Sequence, residues 1–192
     1  MRGQVRIIGG EWRGRKLQIP EVEGVRPTPD RVRETLFNWL APLLRGARCL
    51  DLFAGSGVLG FESISRGASY VALVDQSPEV ISVLKQETLR FCTEKIEVFR
   101  GRIPHQWPVF TPPFDVVFLD PPYRENLLAE SIKGLEEKKL LADTAYIYLE
   151  SDKPLFELPS NWEVIKDKQA GQVKYYLVKR TGVPHENNNP NQ

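Results

Sequence analysis

Arg48-Cys-Leu-Asp-Leu-Phe-Ala-Gly-Ser-Gly-Val-Leu-Gly60 decides the fold of this chain. Arg48–Phe53 is a short apolar run of strand character, and glycines follow it at 55 and 57. A helix-like pattern then begins at Val58 and continues to Arg66. A strand that passes through a glycine turn directly into a helix is the opening of a βαβ unit. The alternation continues outward. Tyr70–Asp75 reads as a strand, Pro78–Cys92 as a helix entered after Ser77, and Ile96–Phe99 as a short strand. Phe114–Asp120 is a further strand, Glu125–Lys139 an amphipathic helix and Thr144–Glu150 a strand. This order predicts an α/β, Rossmann-like fold: a mostly parallel central sheet with helices on both faces.

The two ends of the chain depart from the alternation. Trp162–Asp167 and Gln172–Lys179 flank Ala170-Gly171 and predict a C-terminal antiparallel hairpin on the sheet. Val5–Ile8 and Arg15–Ile19 predict a small N-terminal β-hairpin across Gly9–Gly14. Thr28-Pro29 reads as an N-cap followed by proline at the first helical position. The helix it starts runs to about Leu44 with the stripe Val32, Leu36, Trp39, Leu40 and Leu43, and Pro42 is placed to bend or end it. The domain reading is a basic arm over 1–27, a main domain over 28–180 and a disordered tail over 181–192.

Composition narrows the possibilities. A chain of 192 residues with 41% hydrophobic and 27% charged residues is an ordinary globular domain with a real core. Its net charge is only +1, so any basic surface is local, and the first twenty residues hold one with an excess of four positive charges. Cys49 and Cys92 lack metal or redox spacing and read as two buried thiols in a reducing cytoplasm. Two histidines and no ligand cluster argue against a metal site. No secretory or membrane-spanning segment is legible, so the expected location is cytoplasmic, and the absence of heptads suggests a monomer.

A second motif, Asp120-Pro121-Pro122-Tyr123, ends the Phe114–Asp120 strand. Neither proline donates to a sheet ladder, and both restrict the backbone around them. A carboxylate and rigid carbonyls therefore stand beside an aromatic ring. Asp120 and the Pro121 carbonyl suit the two N–H bonds of an exocyclic amine, and Tyr123 suits stacking on the heteroaromatic ring that bears it.

The glycine loop supplies a partner for that chemistry. Gly55-Ser-Gly57-Val-Leu-Gly60 matches GxGxxG, which alone also fits a dinucleotide enzyme or a plain tight turn. Ligands bind at the carboxyl ends of strands in open parallel sheets. Asp75, about twenty residues beyond the loop, is placed to bind ribose hydroxyls of either NAD or S-adenosylmethionine. Asp51 at the head of the loop, together with the Asp-Pro-Pro-Tyr motif, favours S-adenosylmethionine.

Asp51–Gly57 resembles the first motif of class I S-adenosylmethionine-dependent methyltransferases, and Asp120–Tyr123 resembles the amine motif of those that methylate exocyclic nitrogens. Arg6-Ile-Ile-Gly-Gly-Glu-Trp-Arg-Gly-Arg-Lys-Leu17 and Arg26-Pro-Thr-Pro-Asp-Arg-Val-Arg-Glu-Thr-Leu-Phe-Asn-Trp-Leu40 are similar to the bacterial RsmD family, as is Ala170-Gly171-Gln172-Val173. The resemblance covers roughly residues 4–180. It implies methylation of N2 of one guanine, guanine 966 of 16S ribosomal RNA, free or within the small subunit. It further implies a cofactor site of Asp51, Phe53, Ala54, Gly55, Gly57, Asp75, Gln76 and Thr28. Arg102-Ile103 stands where many such enzymes meet adenine with an acidic or amide residue. Asp120, Pro121, Pro122 and Tyr123 would form the catalytic motif.

RNA phosphates would be met by Arg6, Arg13, Arg15, Lys16 and Arg26, with Trp12 offered for stacking. Arg31 and Arg33 are placed instead for ion pairs with Glu34 or the main domain. Three other readings stay open on the residues alone. A DNA amino-methyltransferase shares the amine motif but needs a recognition domain for which the chain has little room. A nicotinamide-dependent oxidoreductase leaves Asp120–Tyr123 unexplained. A non-catalytic RNA-binding module leaves both motifs unexplained.

Overall fold

The computed structural model describes residues 3–122, 127–151, 155 and 158–182. Among these, the order is β1 (Gln4–Arg6), β2 (Lys16–Gln18), α1 (Asp30–Leu40), β3 (Arg48–Asp51), α2 (Val58–Ser65), β4 (Tyr70–Asp75) and α3 (Pro78–Arg90). There follow β5 (Ile96–Arg100), β6 (Phe114–Leu119), α4 (Leu127–Glu137), β7 (Leu141–Ser151), β8 (Trp162–Ala170) and β9 (Val173–Thr181). One sheet runs β5-β4-β3-β6-β7-β9-β8. Strands β3 to β7 pair in parallel, while β9 joins β7 and β8 antiparallel. β1 and β2 form the separate antiparallel hairpin. This is the fold expected: a Rossmann-like sheet of class I methyltransferase type, ended by an antiparallel hairpin and preceded by a small hairpin and helix.

The central parallel strands β3, β4 and β6 are buried on both sides, so alternate side chains feed two cores. On one face Cys49, Leu73, Val116, Phe118 and Tyr148 meet α1, α2, α3 and the N-terminal hairpin. On the other, Leu50, Val74, Val117, Leu119 and Ile147 meet Leu128, Ile132 and Leu135 of α4. No helix joins β5 to β6. Pro104, Pro108, Pro112 and Pro113 break the helical ladder there, and the segment instead buries Ile103 and packs half-buried Trp107 and Phe110 against the same core.

Several details differ from the sequence reading. α1 begins at Asp30 with Pro29 at its N-cap position, and no side chain caps it. Thr28 turns its carbonyl inward to accept Nε of Arg33 at 3.1 Å. The helix stops at Leu40, just before Pro42. Ser77 does cap α3, accepting the Val80 N–H at 3.3 Å. Cys49 is buried but Cys92 is exposed, because it follows the end of α3 in a left-handed turn (φ 51°). Of the expected tail, Thr181 is the last residue of β9, and 183–192 lie outside the described residues. Among the described residues no helix is long and apolar enough to cross a membrane.

The N-terminal hairpin is part of the main core rather than a free arm. Val5, Ile7 and Leu17 are buried in it, and Trp12 lies edge-on to Phe91 with ring centres 4.9 Å apart. Ser65 accepts the Glu11 N–H through its carbonyl and the Trp12 N–H through its hydroxyl oxygen. Arg33 completes the attachment. Its side chain is fully buried, with the Glu62 carboxylate 3.3 Å away, Asp30 at 2.5 Å and the Arg6 carbonyl at 2.9 Å. Glu62 also accepts the Ile8 N–H at 2.9 Å and pairs with Arg66 at 2.8 Å. Arm, α1 and α2 therefore share one desolvated charge network. Removing one partner from such a pair leaves an uncompensated charge, a larger loss than the pair's net contribution. Arg33→Ala is expected to lower stability by about 3 kcal/mol and to loosen the hairpin. Urea unfolding, with hydrogen exchange over residues 4–18, measures both effects.

Candidate active site

Parallel pairing brings four strands to the same edge carboxyl-end first. Asp51 of β3 is level with Leu73 of β4 and Phe118 of β6, and Phe118 is level with Tyr148 of β7. Two residues beyond Leu73, Phe118 and Tyr148 stand Asp75, Asp120 and Glu150. Side chains two apart share a face. Asp51, Asp75, Asp120 and Glu150 thus lie on the face of Cys49, Leu73, Phe118 and Tyr148, the side covered by α1, α2 and α3. The strand order reverses between β3 and β6, which opens the crevice where α/β sheets bind ligands.

The glycine loop closes one wall of this crevice. Gly57 takes φ +73° at the N-cap of α2, and a Cβ there would sit 2.5 Å from Leu84 Cδ2. Both constraints require glycine. Gly60 serves packing instead, since a Cβ would press on Leu73 and Val71 at 2.5 and 2.9 Å. Asp75 is held by the loop: its Oδ2 accepts the Gly55 N–H at 3.0 Å and its Oδ1 the Ser77 N–H at 2.9 Å. Asp51 accepts the Phe53 N–H at 3.2 Å. Phe53 and Ala54 lie within this turn, and Gln76 is exposed beside it. Arg102 is exposed just after β5, while Ile103 turns into the α4-side core.

Pro121 is buried and Pro122 exposed beyond Asp120. Tyr123 lies outside the described residues. Thr28 is buried in the wall of an open groove shared with Arg6, Lys16 and Asp30. Val25 of the arm reaches over the glycine loop, 3.6 Å from where a Gly55 Cβ would stand. Val25 and Glu150 escaped the sequence reading. Glu150 carried a usable signal, being the acid that ends a strand as Asp51, Asp75 and Asp120 end theirs.

The residues expected to meet RNA divide. Arg6, Arg13, Lys16 and Arg26 are exposed. Arg15 is not a free cation. Its guanidinium lies 3.7 Å from the Phe91 ring centre and donates to the Arg90 carbonyl at 3.2 Å, while Arg90 donates back to the Lys16 carbonyl. Trp12 is buried and offers no face for a base. It packs into the aromatic cluster of Phe61 and Phe91, where its burial is worth more than exposure. Arg33 makes the ion pairs expected of it, with Glu62 of α2 and with Asp30. The tip of the β8–β9 hairpin adds exposed Lys168 and Lys174 at the carboxyl-end edge, because Ser151 at the end of β7 pairs with Lys174.

Crowding and burial hold the three aspartates toward their neutral forms. Burial, with the Asp75 charge, pushes Asp51 up to about 7 despite the Phe53 N–H. Burial raises Asp75 against the pull of the Ser77 and Gly55 N–H groups. Burial and the neighbouring Glu150 and Asp51 charges raise Asp120 well above the carboxylate range. The row forms no metal cage among the described residues. What it suits is an organic cation. Asp51 protonates more readily folded than unfolded, so its contribution to stability is present at acid pH and lost as pH rises toward 7. Ionising it costs on the order of 4 kcal/mol. Asp51→Asn is therefore expected to melt higher than the parent chain at pH 8, with an advantage that shrinks toward pH 5. Thermal melts across that range check the sign.

Comparison with known proteins agrees with this architecture. The family model described as Conserved hypothetical protein 95 matches residues 5–179. The chain is 46% identical over 180 residues to the ribosomal RNA small subunit methyltransferase D of Escherichia coli, covering 93% of this chain and 91% of that one. It is 47% identical over 182 residues to the protein of the same name from Haemophilus influenzae, covering 92% and 94%. A solved Escherichia coli structure superposes with TM-score 0.84 at 45% identity, over 94% of this chain and all of that one. With sheet order, glycine loop, strand-end acids and near full-length similarity in agreement, the chain belongs to the RsmD family of class I methyltransferases.

Proposed function

We propose that this chain transfers a methyl group from S-adenosylmethionine to an exocyclic amino nitrogen of small-subunit ribosomal RNA, at N2 of a guanine corresponding to guanine 966. The observation that carries the reading is the row of strand-end acids beside a glycine loop at the switch point. Two relatives named for small-subunit RNA methylation, similar over nearly their whole length, support the substrate class.

The residues fit the cofactor by their chemistry: a buried, partly neutralised Asp51 seeks a cation, and Asp75 presents oxygens whose remaining lone pairs suit ribose hydroxyls. Bound there, S-adenosylmethionine supplies a methyl group made electrophilic by its sulfonium. Asp51 would hold its positive charge, Asp75 would hold its ribose, and the Phe53–Gly57 turn would supply backbone groups to it. Asp120 and the Pro121 carbonyl accept the two amino hydrogens of the target base. An amine so held is pyramidal, with a lone pair less delocalised into the ring. Asp120 takes the proton lost after transfer, a step its raised affinity for protons favours. Orientation does most of the acceleration. The target base must leave its stack to enter, and Arg6, Arg13, Lys16 and Arg26 hold flanking phosphates.

Three outcomes are expected. Asp120→Ala should lower turnover by about 10²–10⁴-fold with cofactor affinity nearly unchanged. Radiolabelled methyl transfer to small subunits and to naked RNA, with mapping of the modified base, reads the first part, and calorimetry the second. Near-normal turnover would remove Asp120 from the chemistry. Cofactor binding should tighten as pH rises to about 7 and release a proton below it, because a bound cation favours ionised Asp51. Calorimetry at pH 6 in buffers of different ionisation enthalpy detects that proton. Arg13→Glu with Lys16→Glu should flatten the salt dependence of RNA binding by about 0.7 in log–log slope for each phosphate no longer neutralised.

A further inference from the structure

Of the four acids at the carboxyl edge, Glu150 has no part in the mechanism above. It is the last residue but one of β7 and stands directly beside Asp120, since Leu119 and Leu149 pair in register and the next residue along each chain segment is the acid. Neighbouring strands stand about 4.8 Å apart, so both carboxylates can face adjacent groups on one edge of a single base. Glu150 is almost fully buried, and Tyr148 beneath it donates its hydroxyl to Oε1 at 2.5 Å. That hydroxyl holds the direction of the carboxylate and leaves it oxygen acceptors for a further donor.

The bases that carry exocyclic amines differ in what stands next to the amine. In guanine the amino group is flanked by the ring N1–H, a donor. In adenine the flanking N1, and in cytosine the flanking N3, is a lone pair. Asp120 and the Pro121 carbonyl see only the amine and cannot tell the three apart. We infer that Glu150 restricts this site to guanine by accepting the ring N1–H beside the amino group that Asp120 holds. Against adenine or cytosine the same oxygen would meet a lone pair, an uncompensated repulsion in a dry site. Sites built around one hydrogen-bonding group reject analogues lacking it far more strongly than apolar pockets reject a missing methylene. Glu150 is thus a specificity-determining residue, and this assignment rests on the amine-methylating function proposed above.

The test uses small-subunit RNA reconstituted with either guanine or 2-aminopurine at the target nucleotide. 2-Aminopurine keeps the N2 amine but carries a lone pair at N1. The unaltered enzyme is expected to favour guanine by roughly 10²-fold or more in kcat/KM. In Glu150→Gln the side-chain amide can turn an N–H toward that lone pair. The preference should then fall to about 10-fold or less, through loss on guanine together with gain on 2-aminopurine. A merely structural role would depress both substrates equally and leave the ratio unmoved, which overturns the assignment. So would an unaltered enzyme that methylates both bases equally well, a result that needs no variant to fold. Cofactor affinity of Glu150→Gln, measured by calorimetry, confirms that its site is intact. No methyl transfer to the guanine RNA by the unaltered enzyme would instead be the failure of the proposed function itself.

Discussion

Parallel pairing of β3 with strands on both sides is the constraint on which the rest of this molecule depends. β4 and β5 lie to one side of it, and β6 and β7 to the other. Because every one of these strands points the same way, their last residues collect at one edge. Because the order reverses beside β3, that edge opens into a crevice. Four of these strands run into an acid at or just past their carboxyl ends, so that edge gathers Asp51, Asp75, Asp120 and Glu150. The helices cannot fill it, since α2 begins only after the turn that Gly57 permits.

That convergence costs the folded state something. Four carboxylates are brought together and partly dried, and each of the three aspartates holds its proton more tightly than in water. A protein selected for stability alone would not place them so. On the proposed function, ligands would relieve that strain: a cation against Asp51, ribose hydroxyls against Asp75, and base N–H groups against Asp120 and Glu150. Binding and stability would then be coupled through the same protons, and the pH behaviour of the unliganded chain would report on that site.

The N-terminal segment is bound to this scheme by a buried charge network. Arg33 reaches the arm, its own helix and α2 at once, while Arg15 and Arg90 exchange hydrogen bonds between the hairpin and α3. The arm is consequently rigid relative to the crevice, with Val25 lying over the glycine loop. Exposed Arg6, Arg13, Lys16 and Arg26 are carried at fixed positions, as a surface that orients a polymer requires. The basic excess visible in composition is real, but it is divided: one of its members holds the hairpin in place, and Trp12 holds the core.

Local signals carried most of the architecture. Glycines at 55 and 57, prolines after Asp120, Ser77 before Pro78, and alternating apolar runs specify turns, strand ends and a cap through short-range sterics and hydrogen bonding. Those interactions are encoded within a few residues, so the β-α order and three of the four strand-end acids could be read directly. The roles of Arg15, Arg33, Trp12, Gly60 and Glu150 could not. Each is decided by a neighbour 29 or more positions away, except Gly60, whose meaning depends on the strand packed beside it. Burial turns an arginine from a candidate phosphate ligand into a structural ion pair, and strand register turns an ordinary glutamate into the neighbour of Asp120. The order of residues along the chain sets which chemistry this protein can offer. Which of those groups face the crevice is settled only when the chain is folded, because burial and register are properties of pairings between distant segments.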